Sequence, residues 1–148
     1  MNGRRRGALV GGLLLAGCAR ATTHPLQPVT GPVQVGELAL VSTASVLHRP
    51  TVGYDLQVTL ELTWRGQDPL RVDLARTMVR VDGLSWSPCH FPADFDQARL
   101  IRTLDPGEVF RVDFTCEDIA RPGASVELRV LTSGAGGTGV TELRFAGL

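Results

Sequence analysis

The sequence predicts an all-β domain, an antiparallel β-sandwich of seven to eight strands. Three observations predict it. From Tyr54 to Trp64 the chain alternates without a break. Tyr54, Leu56, Val58, Leu60, Leu62 and Trp64 share one parity, and Asp55, Gln57, Thr59, Glu61 and Thr63 the other. Successive side chains of a strand point to opposite faces, so one face here is apolar and the other polar. Clusters of Gly, Pro and Asp recur between short apolar runs, which is turn chemistry at strand spacing. No stretch after the first twenty residues carries a helical period. Burying the six apolar side chains of residues 54–64 contributes roughly 1.5–3 kcal/mol each before the entropy of ordering them. That gain requires a second layer to pack against.

In chain order, residues 1–17 read as a signal peptide. Arg4, Arg5 and Arg6 precede an apolar run from Ala8 to Leu15, which is too short to span a membrane. The run ends in Leu15-Ala16-Gly17-Cys18, which resembles a bacterial lipobox. The resemblance implies cleavage before Cys18, acylation of that cysteine and a stable membrane anchor. Ala19 in the next position, rather than Asp, implies the outer membrane, facing the periplasm or the cell surface. Residues 18–32 contain Pro25, Pro28 and Pro32 and little apolar content, so they read as an acylated cysteine with an extended tether, His24 solvated within it. Residues 33–148 form the domain.

Within the domain, Val33 to Leu47 predicts one strand or a broken pair, with Gly36 as a bulge. Residues 54–64 follow, then a turn over Arg65–Pro69. Leu70, Val72 and Leu74 make a short strand. Thr77 to Trp86 predicts a hairpin about Asp82-Gly83, placing Val81 opposite Leu84, Val79 opposite Trp86, and Trp86 in the core. Ser87 to Arg99 has no period and reads as a loop with one helical turn. Leu100–Leu104 is a short strand. Asp105-Pro106-Gly107-Glu108 is a turn into Val109–Cys116, where Phe110, Val112, Phe114 and Cys116 share a face. Arg121-Pro122-Gly123 turns the chain into a strand over 126–130. Ser133–Gly139 reads as a flexible glycine loop, and Val140–Phe145 closes the domain.

Tyr54–Trp64, Val79–Trp86, and Leu104-Asp105-Pro106-Gly107-Glu108 through Phe114 together resemble the immunoglobulin-like domains of secreted bacterial antigens and lipoproteins, the MPT63-type group. The resemblance spans most of residues 33–148. It implies an immunoglobulin-like sandwich and an envelope location, and it carries no catalytic residues.

Basic and acidic residues balance at 15 each, and every basic residue is Arg. Loss of Arg4–Arg6 with the leader leaves a formal charge of −3. The remaining arginines form no stripe, so a nucleic-acid partner is not expected. The glycines of 133–139 make no phosphate cradle, because neither a helix pattern nor a Lys follows. No cofactor motif is present. With Cys18 assigned to lipid, Cys89 and Cys116 are an even pair in an exported domain, which reads as a disulfide. The alternative is a copper or zinc site built from Cys89, Cys116, His90, His48 and Met78; no metal-ligand spacing supports it. Asp94 and Asp96 lack the spacing of a calcium loop. No nucleophile elbow is present, so a catalytic role is not expected. Phe91 and Phe95, aromatics in an irregular loop beside the proposed disulfide, are the candidate partner-binding residues. The function expected is a non-catalytic binding, scaffolding or assembly module held at the cell envelope, with a protein or envelope-polymer partner.

Overall fold

A computed structural model describes residues 20–29 and 31–147. They form ten strands: β1 (Thr22–Pro28), β2 (Val33–Val35), β3 (Leu38–Arg49), β4 (Gly53–Trp64), β5 (Leu70–Val81), β6 (Ser87–Pro88), β7 (Ile101–Leu104), β8 (Val109–Cys116), β9 (Val126–Gly134) and β10 (Gly137–Gly147). All pairings are antiparallel, in the order β6-β5-β9-β10-β1-β3-β4-β8, with β2 also on β3 and β7 also on β5. The sheet curls into a sandwich. β3, β4 and β8 form one layer, and β5, β9 and β10 the other. The strand count exceeds the expected seven to eight because β2, β6 and β7 are too short to carry a period, and because β1 has the composition of a tether.

β4 is the strand that the alternation marked. Leu56, Val58, Leu60 and Leu62 are buried, while Tyr54 and Trp64 at its ends are half-buried. It pairs along its whole length with β3, from Leu38 opposite Trp64 to Arg49 opposite Gly53. Leu40, Leu56, Leu60 and Leu62 meet Leu74, Leu128, Leu143 and Phe145 from the other layer, all fully enclosed.

The expected tether over 18–32 holds β1, which passes from one layer to the other. Thr22–Leu26 pair with Ala44–His48 of β3, and Leu26–Pro28 with Phe145–Gly147 of β10. Only Leu26 has neighbours on both sides, and it alone is buried. Pro25 and Pro28 each lie in a half with a single neighbour, where a missing N–H disrupts no second ladder. A strand of this kind needs one apolar anchor and therefore shows no alternation.

Three further expectations change. Gly36, at φ +58°, sits in the tight β2–β3 turn and forms no bulge. The two strands expected around Ala75 are one, β5, with a register irregularity between Asp73 and Met78 where the Thr77 hydroxyl donates to the Leu74 carbonyl at 2.7 Å. The glycine loop at 133–139 is a β9–β10 hairpin with Gly134 opposite Gly137.

The Asp82-Gly83 turn forms as expected, both residues at positive φ and Leu84 N–H bonded to the Val81 carbonyl at 3.0 Å. The return strand, however, is displaced by one residue. Val79 faces Ser87 rather than Trp86. A slip of one residue moves a side chain to the opposite face. Trp86 accordingly lies outside the core between two guanidiniums, Arg80 at 4.7 Å and Arg129 at 3.9 Å from the ring. Leu84 is 72% exposed.

The two ends of the strand order, β8 in one layer and β6 with β7 in the other, leave a seam. Segment 89–100 fills it, ending in a 3-10 turn over Gln97–Leu100 that drives Leu100 into the core. The Cys89–Cys116 disulfide crosses the seam with Cα atoms 5.0 Å apart.

Candidate partner-binding site

The loop expected to be the binding element is fixed at its start by two backbone bonds. Cys89 N–H donates to the Thr77 carbonyl at 2.9 Å, tying the loop to β5. Glu117 N–H donates to the His90 carbonyl at 2.7 Å, tying it to the end of β8. Farther along, the Asp96 carboxylate accepts from Ala98 N–H at 3.1 Å and caps the 3-10 turn. That assignment leaves Asp96 in a structural role.

Between His90 and Asp96, Phe91 and Phe95 stack with centroids 5.8 Å apart. Phe91 also meets the ring of Phe114 edge-on at 6.0 Å. Both loop aromatics are half-buried and packed on the core. They differ in what they face. Phe91 reaches inward to β8. Phe95 forms the rim of a shallow trough of about 500 Å³ on the outer face of β3, β4 and β8. Hydroxyl, amide and carboxylate groups floor the trough: Thr43, Ser45, Gln57, Thr59, Asp113 and Thr115. Some are already joined to one another, Thr59 Oγ1 to Asp113 Oδ1 at 2.5 Å and Ser45 Oγ to Gln57 Oε1 at 3.4 Å. An aromatic rim over a polar floor suits an amphipathic ligand better than a purely apolar one.

The residues of the metal alternative do not assemble. Both sulfurs of Cys89 and Cys116 are consumed in the disulfide. His90 is exposed. His48 stacks on Tyr54 with centroids 4.6 Å apart at one end of β3 and β4. Met78 lies on β5 opposite Arg129. Among the described residues no group of three His, Cys, Asp or Glu side chains could hold an ion. Cys18 lies outside the described residues.

Two features had no clear signal in the sequence. Asp55 sits on the polar parity of β4 yet is 2% exposed. Arg49 Nε meets its Oδ2 at 2.5 Å, Arg49 Nη2 donates to Oδ1 at 3.1 Å, and the Asp118 backbone N–H donates to Oδ1 at 3.2 Å. The hydrogen bond to Asp55, opposed by desolvation and helped by the surrounding acids, holds the Arg49 pKa above its ordinary value. Arg49 and Asp55 flank a short hairpin turn, which is the one hint the sequence carries. The second feature is a cleft of about 520 Å³ at the opposite end of the sandwich. Trp64, Glu37 and Asp68 line it, together with the bare glycine hairpin 134–139. Gly66 lets the Trp64 indole lie flat against the backbone, where any Cβ would run into the ring. The indole N–H then donates to the Asp68 carbonyl at 2.7 Å.

No protein-family model, curated protein or solved structure matches this chain.

Proposed function

We propose that this chain is a cell-envelope lipoprotein, anchored by acyl chains on Cys18, whose β-sandwich is a non-catalytic binding, scaffolding or assembly module for another envelope component. The anchor reading rests on Arg4–Arg6, the apolar run and Leu15-Ala16-Gly17-Cys18 in sequence, with Ala19 favouring the outer membrane. The resemblance to the MPT63-type group belongs to the same reading, and the antiparallel sandwich is compatible with it. A buried disulfide is the chemistry of an oxidising compartment and supports export. The binding role is carried by one observation: a half-buried aromatic, Phe95, stands on a doubly tied loop at the rim of a polar trough. Large aromatics held rigid at a rim lose little entropy on binding and are common anchors of interfaces.

The test places a photo-crosslinking residue at Phe95 of the full chain in cells. A discrete crosslinked species, lost when the probe moves to exposed Thr138 on the β9–β10 hairpin, is the expected result. Metabolic labelling with a palmitate analogue that disappears in Cys18→Ala tests the anchor separately. Failure to crosslink at Phe95, with export and folding intact, would remove the trough as the binding site.

A further inference from the structure

We infer that the end of the sandwich carrying the β3–β4 turn lies against the lipid headgroups, so that the Trp64 cleft points away from the membrane. The inference rests on the proposed anchor at Cys18 and adds to it an orientation that the fold imposes.

Reach limits where the domain can sit. β1 begins at Thr22, so four Cα–Cα steps separate it from Cys18. A chain spans at most ~3.6 Å per residue, so the first strand starts within about 14 Å of the anchored residue whatever path 19–21 take. A tether over 18–32 would have freed the domain to tumble. β1 removes that freedom, because Thr22–Leu26 are hydrogen-bonded to β3.

The β1–β3 pairing fixes which end this brings down. Thr22 lies opposite His48, next to the β3–β4 turn. The same end carries the other turns of that side. Asp118 sits against Gly53, and Arg121 is bonded to Asp82 of the β5–β6 turn at 2.6 Å. Segment 118–121 therefore bridges the two turns. The cleft with Trp64 is at the far end of β3 and β4, where Leu38 pairs with Trp64. Eleven steps along β3 at ~3.4 Å put it about 37 Å away.

The surface of this end favours the same placement independently of the anchor. The two turns at the near end each present an apolar side chain to solvent, Val52 at 57% and Leu84 at 72% exposure. The β3–β4 turn is rigid: Val52 N–H bonds to the Arg49 carbonyl at 3.0 Å, and Thr51 is held at φ +68°. A tight turn that costs a positive φ at Thr51 and still displays valine outward is better matched to a headgroup layer than to water. Tyr54, stacked on His48 just behind it, is an amphipathic ring of the kind found at membrane interfaces. The charged groups at this end are Arg20, Arg49 and Arg121 against Asp55, Asp82, Glu117 and Asp118. This near balance favours zwitterionic lipid, with no strong pull toward anionic surfaces.

The test uses the full acylated chain in zwitterionic vesicles doped with a headgroup-attached paramagnetic lipid, read by broadening of backbone amide signals. Intact mass is measured first. If Cys18 carries no acyl groups, the anchor reading fails and this inference with it. With acylation present, strong broadening at residues 51–53 and 83–84 and none at 135–138 is expected. Equal broadening at the two ends, or stronger broadening at the hairpin, overturns the orientation. The Val52→Asp/Leu84→Asp variant keeps its acyl anchor and should lose at least half of the contrast. An unchanged contrast would show that reach alone sets the orientation, and the apolar tips would drop out of the proposal.

Discussion

Breaking the Cys89–Cys116 bond should destabilise the domain by an amount the topology sets. The bond joins residues 27 positions apart. Releasing a loop of about 28 residues into the unfolded ensemble costs ~3.6 kcal/mol on the chain-entropy estimate. With an unfolding entropy of about 2.1 cal/mol/K per residue over roughly 128 residues, that corresponds to a fall of ~13 °C in Tm. The assay is urea unfolding of the chain from Ala19 onward, oxidised and reduced, beside Cys89→Ala/Cys116→Ala. Reduction removes only the crosslink. The double variant also empties two buried sulfur positions, with Cys116 at 0% and Cys89 at 7% exposure, so its excess over reduction measures packing in the seam. The urea m-value should rise on reduction, because the uncrosslinked chain exposes more surface when unfolded. A loss below ~1 kcal/mol with an unchanged m-value would refute the reasoning, since the unfolded state would then be indifferent to the link.

Other substitutions separate the features described above. Leu26→Ala should cost about 2–5 kcal/mol in urea unfolding, as for a core leucine, whereas a free tether would show almost no change. Trp86→Ala should cost only ~1–2 kcal/mol, the scale of two cation–π contacts, against the 3–5 kcal/mol expected had it stood opposite Val79 in the core. Phe91→Ala should lower Tm more than Phe95→Ala, because only Phe91 touches Phe114. The Asp82 carboxyl is held below its ordinary value of 3.8, first by the Arg121 hydrogen bond and then by Ser125 N–H, and Glu108 below 4.5, first by Asp105 N–H, with Arg102 adding to it. Their folded pKa values are depressed, so the unfolded chain takes up protons first. Their stabilisation is present above pH of about 4.5 and is lost as pH falls through the lower folded values. Asp82→Asn with Glu108→Gln should therefore flatten the acid limb of urea midpoint against pH.

How much of this was legible follows from what alternation encodes. Parity tells which face of a strand is buried, and β4 and β8 emerge with their boundaries nearly intact because each has one apolar and one polar face. The sandwich class is legible for the same reason. Alternation is blind to neighbours, however. β1 carries a single buried residue, Leu26, and two prolines, so by composition it cannot be told from a linker. Its place in the sheet depends on partners on β3 and β10 that lie up to about 120 residues along the chain. The hairpin at Asp82-Gly83 is the opposite case. Its turn was readable from two residues, yet three residues leaving the ladder after the turn shifted the register and moved Trp86 to the outer face. Local chemistry determines a turn, and the packing of both layers determines what the returning strand meets.

The same limit applies to the site. Phe91 and Phe95 stand out in the sequence as aromatics in an irregular loop, and the Cys89–Cys116 pairing follows from an even count in a domain expected to be exported. What the sequence could not express is that this loop closes a seam between the two edges of a curled sheet. That placement divides the labour of the two rings. Phe91 is turned to Phe114 and contributes to closure, while Phe95 lines the rim of the trough, where the proposed binding role would use it. A loop that both closes a seam and presents a side chain must be rigid for the first task, and rigidity also lowers the entropy cost of the second. The disulfide, by fixing the start of that loop to the end of β8, therefore acts on stability and presentation together. Its reduction should weaken any Phe95-dependent contact even under conditions where the domain stays folded.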